Sequence, residues 1–142
     1  MPQDTRSILS LDVGSKRVGV AIASMLARLP HPLVTLTSTG DELLNDLQTI
    51  IENKDAGQLV VGLPRGLNGQ STDQTREILR FAEQLKAHFD IPIDLQDEAL
   101  TSAHAEKELK TRGKPYTKGD IDSLAATYIL EDWLIEHKEL IH

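Results

Sequence analysis

Three carboxylates in this chain stand where a carboxylate is costly to place: Asp12, Glu98 and Asp122. Asp12 lies near the end of the first of two apolar, β-branched runs within Ile8–Ala23, where a strand residue loses hydration unless a partner compensates it. Glu98 follows the short run Ile91-Pro-Ile-Asp-Leu95, with Asp97 beside it as an equally available acid. Asp122 is followed at helical spacing by Ala126, Ile129 and Trp133, so its side chain projects near the buried edge of a helix. Gathered within a few ångströms, three carboxylates repel one another and have raised pKa values unless cations occupy the space between them. Two divalent ions about 4 Å apart in such a cluster activate a water and stabilise a leaving oxygen, which is the chemistry of phosphodiester hydrolysis. Plainer accounts exist for each residue taken singly. Asp12 can accept from the amides of the Gly14 turn, Glu98 or Asp97 can be a solvated turn residue, and Asp122, like Asp120, can complement a helix dipole.

The remaining composition narrows the metal. The chain has no cysteine, which excludes disulfides, thiolate catalysis and zinc–thiolate sites. His31, His88, His104, His137 and His142 are scattered, and none has metal-ligand spacing to another. Carboxylate oxygen is the donor that remains, and it suits hard ions such as Mg2+ or Mn2+. A net charge of −7 argues against a general polyanion binder. Lys16, Arg17, Arg65, Lys110, Arg112, Lys114 and Lys118 nevertheless fall in or beside loops, whereas many acids lie along helices, so a local basic patch is compatible with the sequence.

Several elements must position these groups. Gly14, Ser15 and Lys16 between two β-branched runs specify a hairpin. Leu33–Thr37 reads as a third strand after the break Pro30-His-Pro32. Thr39 and Glu42 have capping-box spacing, and Leu43, Leu44, Leu47, Ile50 and Ile51 mark the apolar face of a helix ending near Gly57. Gln58–Gly62 reads as a strand buried on both faces, followed by the loop Leu63–Gly69 at the sheet edge where ligands collect. Ser71 and Gln74 box a second helix through Ile78, Phe81, Ala82, Leu85 and Phe89, and the strand Ile91–Leu95 follows. Thr101 or Ser102 caps a third helix running to Arg112, and Thr117 with Asp120 boxes the last. The order is βββαβαβαα. At 142 residues, without repeat or linker, residues 1–142 are expected to form a single three-layer α/β domain with a mixed five-stranded sheet and helices on both faces. No apolar run reaches membrane-span length and the first residues lack a signal-peptide layout, which points to a cytoplasmic chain with no membrane contact.

Four blocks in order resemble the YqgF/RuvX family, nucleases of the ribonuclease H-like fold described as Holliday junction resolvases and pre-16S ribosomal RNA nucleases. They are Leu11–Ala21; Val61-Gly-Leu-Pro64 with Gly69 and Gln74; Asp97–Ser102 with Ala105; and Lys118–Ala126 with Ile129-Leu130. The resemblance covers nearly the whole chain. It implies that Asp12, Glu98 and Asp122 are catalytic metal ligands for Mg2+ or Mn2+. It also implies that Arg17 and Lys118 contact nucleic acid and that Gly62, Leu63 and Pro64 belong to the loop next to the site; Lys16 in the hairpin turn and Arg65 in that loop are further candidate contacts. The third block departs from the family pattern, which has Asp-Glu-Arg where this chain has Ala99 after Glu98. A missing guanidinium at that position bears on phosphate positioning.

The activity so implied is a metal-dependent endonuclease acting on structured nucleic acid, with processing of the 5′ end of precursor 16S ribosomal RNA first and branched DNA as the rival substrate. A catalytically weak module binding RNA or ribosomal particles is the second reading, motivated by Ala99 and the acidic net charge. A kinase or ATPase reading of the Asp-x-Gly hairpin fails on length, because that fold requires a second domain. The chain can act as a monomer or a homodimer, and a dimer would favour symmetric junction cleavage.

Overall fold

A computed structural model of the chain describes residues 4–64, 73–98 and 101–138. The elements run β1 (Ser7–Val13), β2 (Val18–Ser24), β3 (His31–Leu36), α1 (Gly40–Asn53), β4 (Ala56–Pro64), α2 (Asp73–His88), β5 (Ile93–Glu98), α3 (Thr101–Arg112) and α4 (Lys118–Glu136), in the order the sequence patterns specify. They build a five-stranded sheet in the order β3-β2-β1-β4-β5. β1, β2 and β3 pair antiparallel, while β4 pairs parallel with both β1 and β5. The hairpin closes where the Gly14 amide donates to the Arg17 carbonyl at 2.8 Å. β4 is buried along its length up to Leu63, as a near-continuous apolar run in a parallel arrangement requires.

The pleat sends alternate residues to two differently built faces. Leu9, Leu11, Val18, Val20, Leu59 and Val61 pack against Leu43 and Leu47 of α1 and against Ile78 and Leu85 of α2. On the opposite face Ile8, Ala21, Ala23 and Val60 receive Ala126, Ile129, Leu130 and Trp133 of α4. α3 does not lie on the sheet. It packs on α4 through Ala105, Leu109, Leu124 and Ala125.

Small residues on β2 let α4 come close. A Cβ added to Gly19 would lie 2.1 Å from the Asp122 carbonyl oxygen and 2.3 Å from its carbon, a backbone approach open only to glycine. Hydrogen bonds fix the helix in that place. The buried Ser10 hydroxyl donates to the Ala126 carbonyl at 2.6 Å, and the Thr35 hydroxyl donates to the Gly119 carbonyl at 2.6 Å. Thr117 and Asp120 form the reciprocal capping box that opens α4, and Arg28 donates to the Leu134 carbonyl near its end at 2.5 Å.

Several boundaries differ from the sequence pattern, each for a local reason. β3 starts at His31 and takes in Pro32, because an edge strand tolerates a residue without an amide donor, and the ladder shifts register between Val20 and Ala21. α1 ends at Asn53, ahead of Gly57, since Asp55 adopts a positive φ of 49°. Thr39 sits at the N-cap of α1, yet its side chain makes no capping bond. The Ser38 hydroxyl, one residue earlier, donates instead to Asp46 at 2.6 Å. β4 extends to Pro64, so Gly62, Leu63 and Pro64 are strand residues, not loop. β5 pairs with this extension and reaches Glu98, which places Asp97 and Glu98 inside the strand, not after it. α3 begins at Thr101, so Thr101 and Ser102 are helical residues, not caps. Residues 65–72, which include Ser71 and the whole loop after Pro64, lie outside the described residues. Among the described residues, no helix is long and apolar enough to cross a membrane.

Gly19→Ala is expected to cost at least about 3 kcal/mol in urea unfolding, above the usual range for one added methyl, because the obstacle is backbone and not a mobile side chain. A loss under about 1 kcal/mol would show that α4 can move away from β2 freely.

Candidate active site

The three carboxylates come together through alternation on the strands and one close backbone approach. Ile8 and Ser10 of β1 both meet α4, and Asp12 follows them on the same face. Its cross-strand partner is Gly19, the residue against which the Asp122 backbone is pressed. On β5, Asp94 accepts from the Trp133 indole at 2.9 Å, which sets Asp94, Gln96 and Glu98 on the α4 face. Asp97 therefore points to the other face, where it is exposed. Glu98 approaches β1 across Gly62, where an added Cβ would lie 3.2 Å from the Glu98 carboxyl carbon. Asp12, Glu98 and Asp122 thus share one end of one face, whereas Asp97 does not.

Their electrostatics register this proximity. Loss of solvation, with the charges of Glu98 and Asp122 adding to it, pushes the Asp12 carboxyl up to about 7. Burial also raises Glu98, opposed by the Thr101 hydroxyl, which donates to its Oε2 at 2.6 Å. Asp122 is paired with Arg17, whose Nε donates to Oδ2 at 2.5 Å with side-chain exposures of 33% and 17%. An arginine from the hairpin loop thereby supplies the cation nearest the cluster.

The donor set is all carboxylate oxygen, which matches a hard divalent ion and does not match zinc or copper. Burial first, and then the neighbouring charges of Glu98 and Asp122, favour the protonated form of Asp12, a conflict that a cation bound among the three would relieve. Among the described residues, no three acids or imidazoles already stand around a common point at ligating distance. Arg17 engages Oδ2 of Asp122, so ligation through that oxygen requires side-chain reorientation, whereas Thr101 engages Oε2 of Glu98 and leaves Oε1 for a cation.

Of the basic residues singled out in the sequence, Lys16 is exposed on the hairpin loop, Arg17 is paired with Asp122, and Lys118 is exposed one turn before Asp122. Arg65 and Ala99 lie outside the described residues. Sequence reasoning missed the orienting role of Thr101 and the Arg17–Asp122 pair, since both are contacts of tertiary origin. It also passed over Gly19, although a glycine inside a strand is itself a signal of close approach.

Antiparallel β1–β3, parallel β4 and β5, and an acidic cluster where β1 and β5 end against α4 define a ribonuclease H-like domain. RuvC from Thermus thermophilus has this fold. The chain of its complex with a Holliday junction substrate superimposes with a TM-score of 0.55 at 13% identity, over 92% of this chain and 95% of that one. A second RuvC structure from the same organism gives 0.51 at 10% identity over 93% and 96%. The chain belongs to the RuvX family, described as Holliday junction resolvase, whose model matches residues 6–136. Relatives named "Putative pre-16S rRNA nuclease" include one from Maridesulfovibrio salexigens, 43% identical over 89% of this chain and 96% of its own. Another, from Crocosphaera subtropica, is 36% identical over 93% and 94%.

Because the Asp12 value rises from 3.8 in the unfolded chain to about 7 in the folded one, folding takes up a proton between these limits. The associated stability is complete below about pH 4 and is lost as pH rises through about 7. The metal-free chain is therefore expected to lose several degrees of Tm between about pH 5 and about pH 8, and Asp12→Asn to flatten that decline and melt higher at the upper pH. Superimposable profiles for the two proteins would refute the crowding of charge at Asp12.

Proposed function

We propose that this chain is a divalent-metal-dependent endonuclease that hydrolyses phosphodiester bonds in structured nucleic acid, with precursor 16S ribosomal RNA, trimmed at its 5′ end, as the substrate. The observation that carries this reading is the meeting of Asp12, Glu98 and Asp122 at one end of one sheet face, with Asp12 pushed up to about 7 by burial and by the other two charges. The names of the relatives favour ribosomal RNA. The family description and the RuvC likeness make four-way junction DNA the second substrate to test.

In this reading Asp12, Glu98 and Asp122 hold Mg2+ or Mn2+, which when bound polarises the phosphoryl oxygens and lowers the pKa of a coordinated water. The chain's own groups arrange the rest. Thr101 fixes the rotamer of Glu98, as outer partners of ligating groups do. Arg17 neutralises Asp122 in the resting protein and, once Asp122 turns to ligation, is a guanidinium free to pair with a substrate phosphate. It supplies at the site a cation of the kind that Ala99 cannot. Asp12 must give up its proton to ligate, so activity rises with pH through about 7.

With Mn2+, the native chain is expected to cut precursor ribosomal RNA, and each of Asp12→Asn, Glu98→Gln and Asp122→Asn to slow it by at least about a hundredfold, beyond the range typical of outer-partner changes. Thr101→Val is expected to slow it about tenfold. Cutting of neither the RNA nor junction DNA, or unchanged cutting by Asp12→Asn, sinks the reading. Binding without cutting would favour an RNA-binding module that keeps the fold.

A further inference from the structure

A second concave feature lies next to the carboxylates, in the angle between the α3–α4 link and the edge of the sheet. It is a cleft of about 240 Å³. Leu109 and Leu124 form an apolar floor, Pro32 of edge strand β3 closes one side, and Arg112, Lys114 and Tyr116 stand on the other. Tyr116 is half-buried against the apolar cluster of Ala105, Leu109, Leu124 and Ala125, so its ring is held in place where it borders the cleft. Ser123 adds a hydroxyl to the lining and Asp120 a carboxylate, one oxygen of which accepts from the Thr117 amide at 2.8 Å.

Cations concentrate along the link that borders the cleft. Lys107–Lys118 carries five cations, Lys107, Lys110, Arg112, Lys114 and Lys118, against one carboxylate, Glu108, in a chain of net charge −7. Arg112 pairs with Glu108, and Lys110 lies 3.6 Å from Glu106. Among the described residues Lys114 has no carboxylate within ion-pair distance, which leaves its ammonium available to an anion.

We propose that this cleft is a subsite for one nucleotide of an unpaired RNA or DNA strand, with its base against Tyr116 and its phosphate on Lys114 and Arg112. The inference rests on the nuclease reading above. An aromatic ring beside cations over an apolar floor is how proteins hold single strands, since every base has a face to stack and every nucleotide a phosphate. A base that lays its face on Tyr116 is one splayed from its partner, as RNA-recognition sites require. Its position serves cleavage. Ser123 and Leu124 line the cleft while Asp122 faces β1 and β2 from the same turn of α4, so the two features are separated by about the width of one helix, roughly 10 Å. A strand anchored in the cleft has one helix width to cross to reach the carboxylates.

The test is strand binding by the isotope-labelled full chain in Ca2+, with a short single-stranded RNA, its DNA equivalent, and a blunt duplex of the same sequence as probes. The expected result is amide shifts at Lys114, Tyr116, Ser123 and Leu124 with either single strand and weaker binding of the duplex. Lys114→Glu and Tyr116→Leu, the latter keeping apolar contact with the cluster, should each weaken strand binding between about five-fold and a hundredfold, the range of one lost stack or phosphate contact. Shifts confined to other surfaces, no measurable binding by the native chain, or affinities within two-fold for both variants would overturn the proposal. Asp12→Asn separates the two readings. If the cleft binds strands while native and Asp12→Asn chains are equally inert in Mn2+, the nuclease reading fails and the subsite stands. If cutting depends on Asp12 but the cleft variants bind normally, the subsite fails alone.

Discussion

Helix α4 reaches the sheet because position 19 has no side chain, and most of what is distinctive about this molecule follows from that approach. The Asp122 backbone occupies space that any Cβ on β2 at that point would claim. Ala21 and Ala23 continue the same shallow track along β2, and the Ser10 hydroxyl ties the helix to β1 at the Ala126 carbonyl. Moving α4 outward by the thickness of a methyl group would loosen the packing of Ala126 and Ile129 on Ile8 and Val60 and carry Asp122 away from Asp12. Packing and site are thus one constraint, since the helix that completes the second core also carries the third carboxylate.

The cost of the arrangement is electrostatic. A half-buried carboxyl on β1 faces two others, and its affinity for a proton rises toward neutrality. The structure meets part of that cost internally. Arg17 turns back from the hairpin loop onto Asp122, and Thr101 donates to Glu98 from the first residue of α3. The first of these contacts occupies an Asp122 oxygen that ligation would use, while the second leaves one Glu98 oxygen open.

Much of the fold was legible because its signals were local. The Gly14–Lys16 turn, the apolar run through Val60 and the Thr117–Asp120 capping box each depend on residues within one element, and all three are present. The less accurate readings fell where a partner strand or a neighbouring side chain decided the outcome. Thr39 has the spacing of a capping box, but Ser38 and Asp46 make the polar contact at that end of α1. β5 runs on to Glu98 because β4 runs on to Pro64, an extension no pattern within Ile91–Leu95 reveals. Pro32 lies within β3 because that strand is an edge.

By itself the sequence determined the order of elements and the class of fold, and it offered Asp12, Asp122 and either Asp97 or Glu98 as candidate acids, since hydrophobic period, turn chemistry and the cost of an apolar carboxylate are properties of neighbours along the chain. Tertiary structure decided which of those acids belong together. Asp97 and Glu98 are adjacent and chemically alike, yet the pleat of β5 directs one to the α4 face and the other away from it. It also decided that Arg17 answers Asp122 across 105 residues and that the basic α3–α4 link borders a cleft beside the same helix. Those facts rest on distances between segments remote in sequence, which only packing fixes.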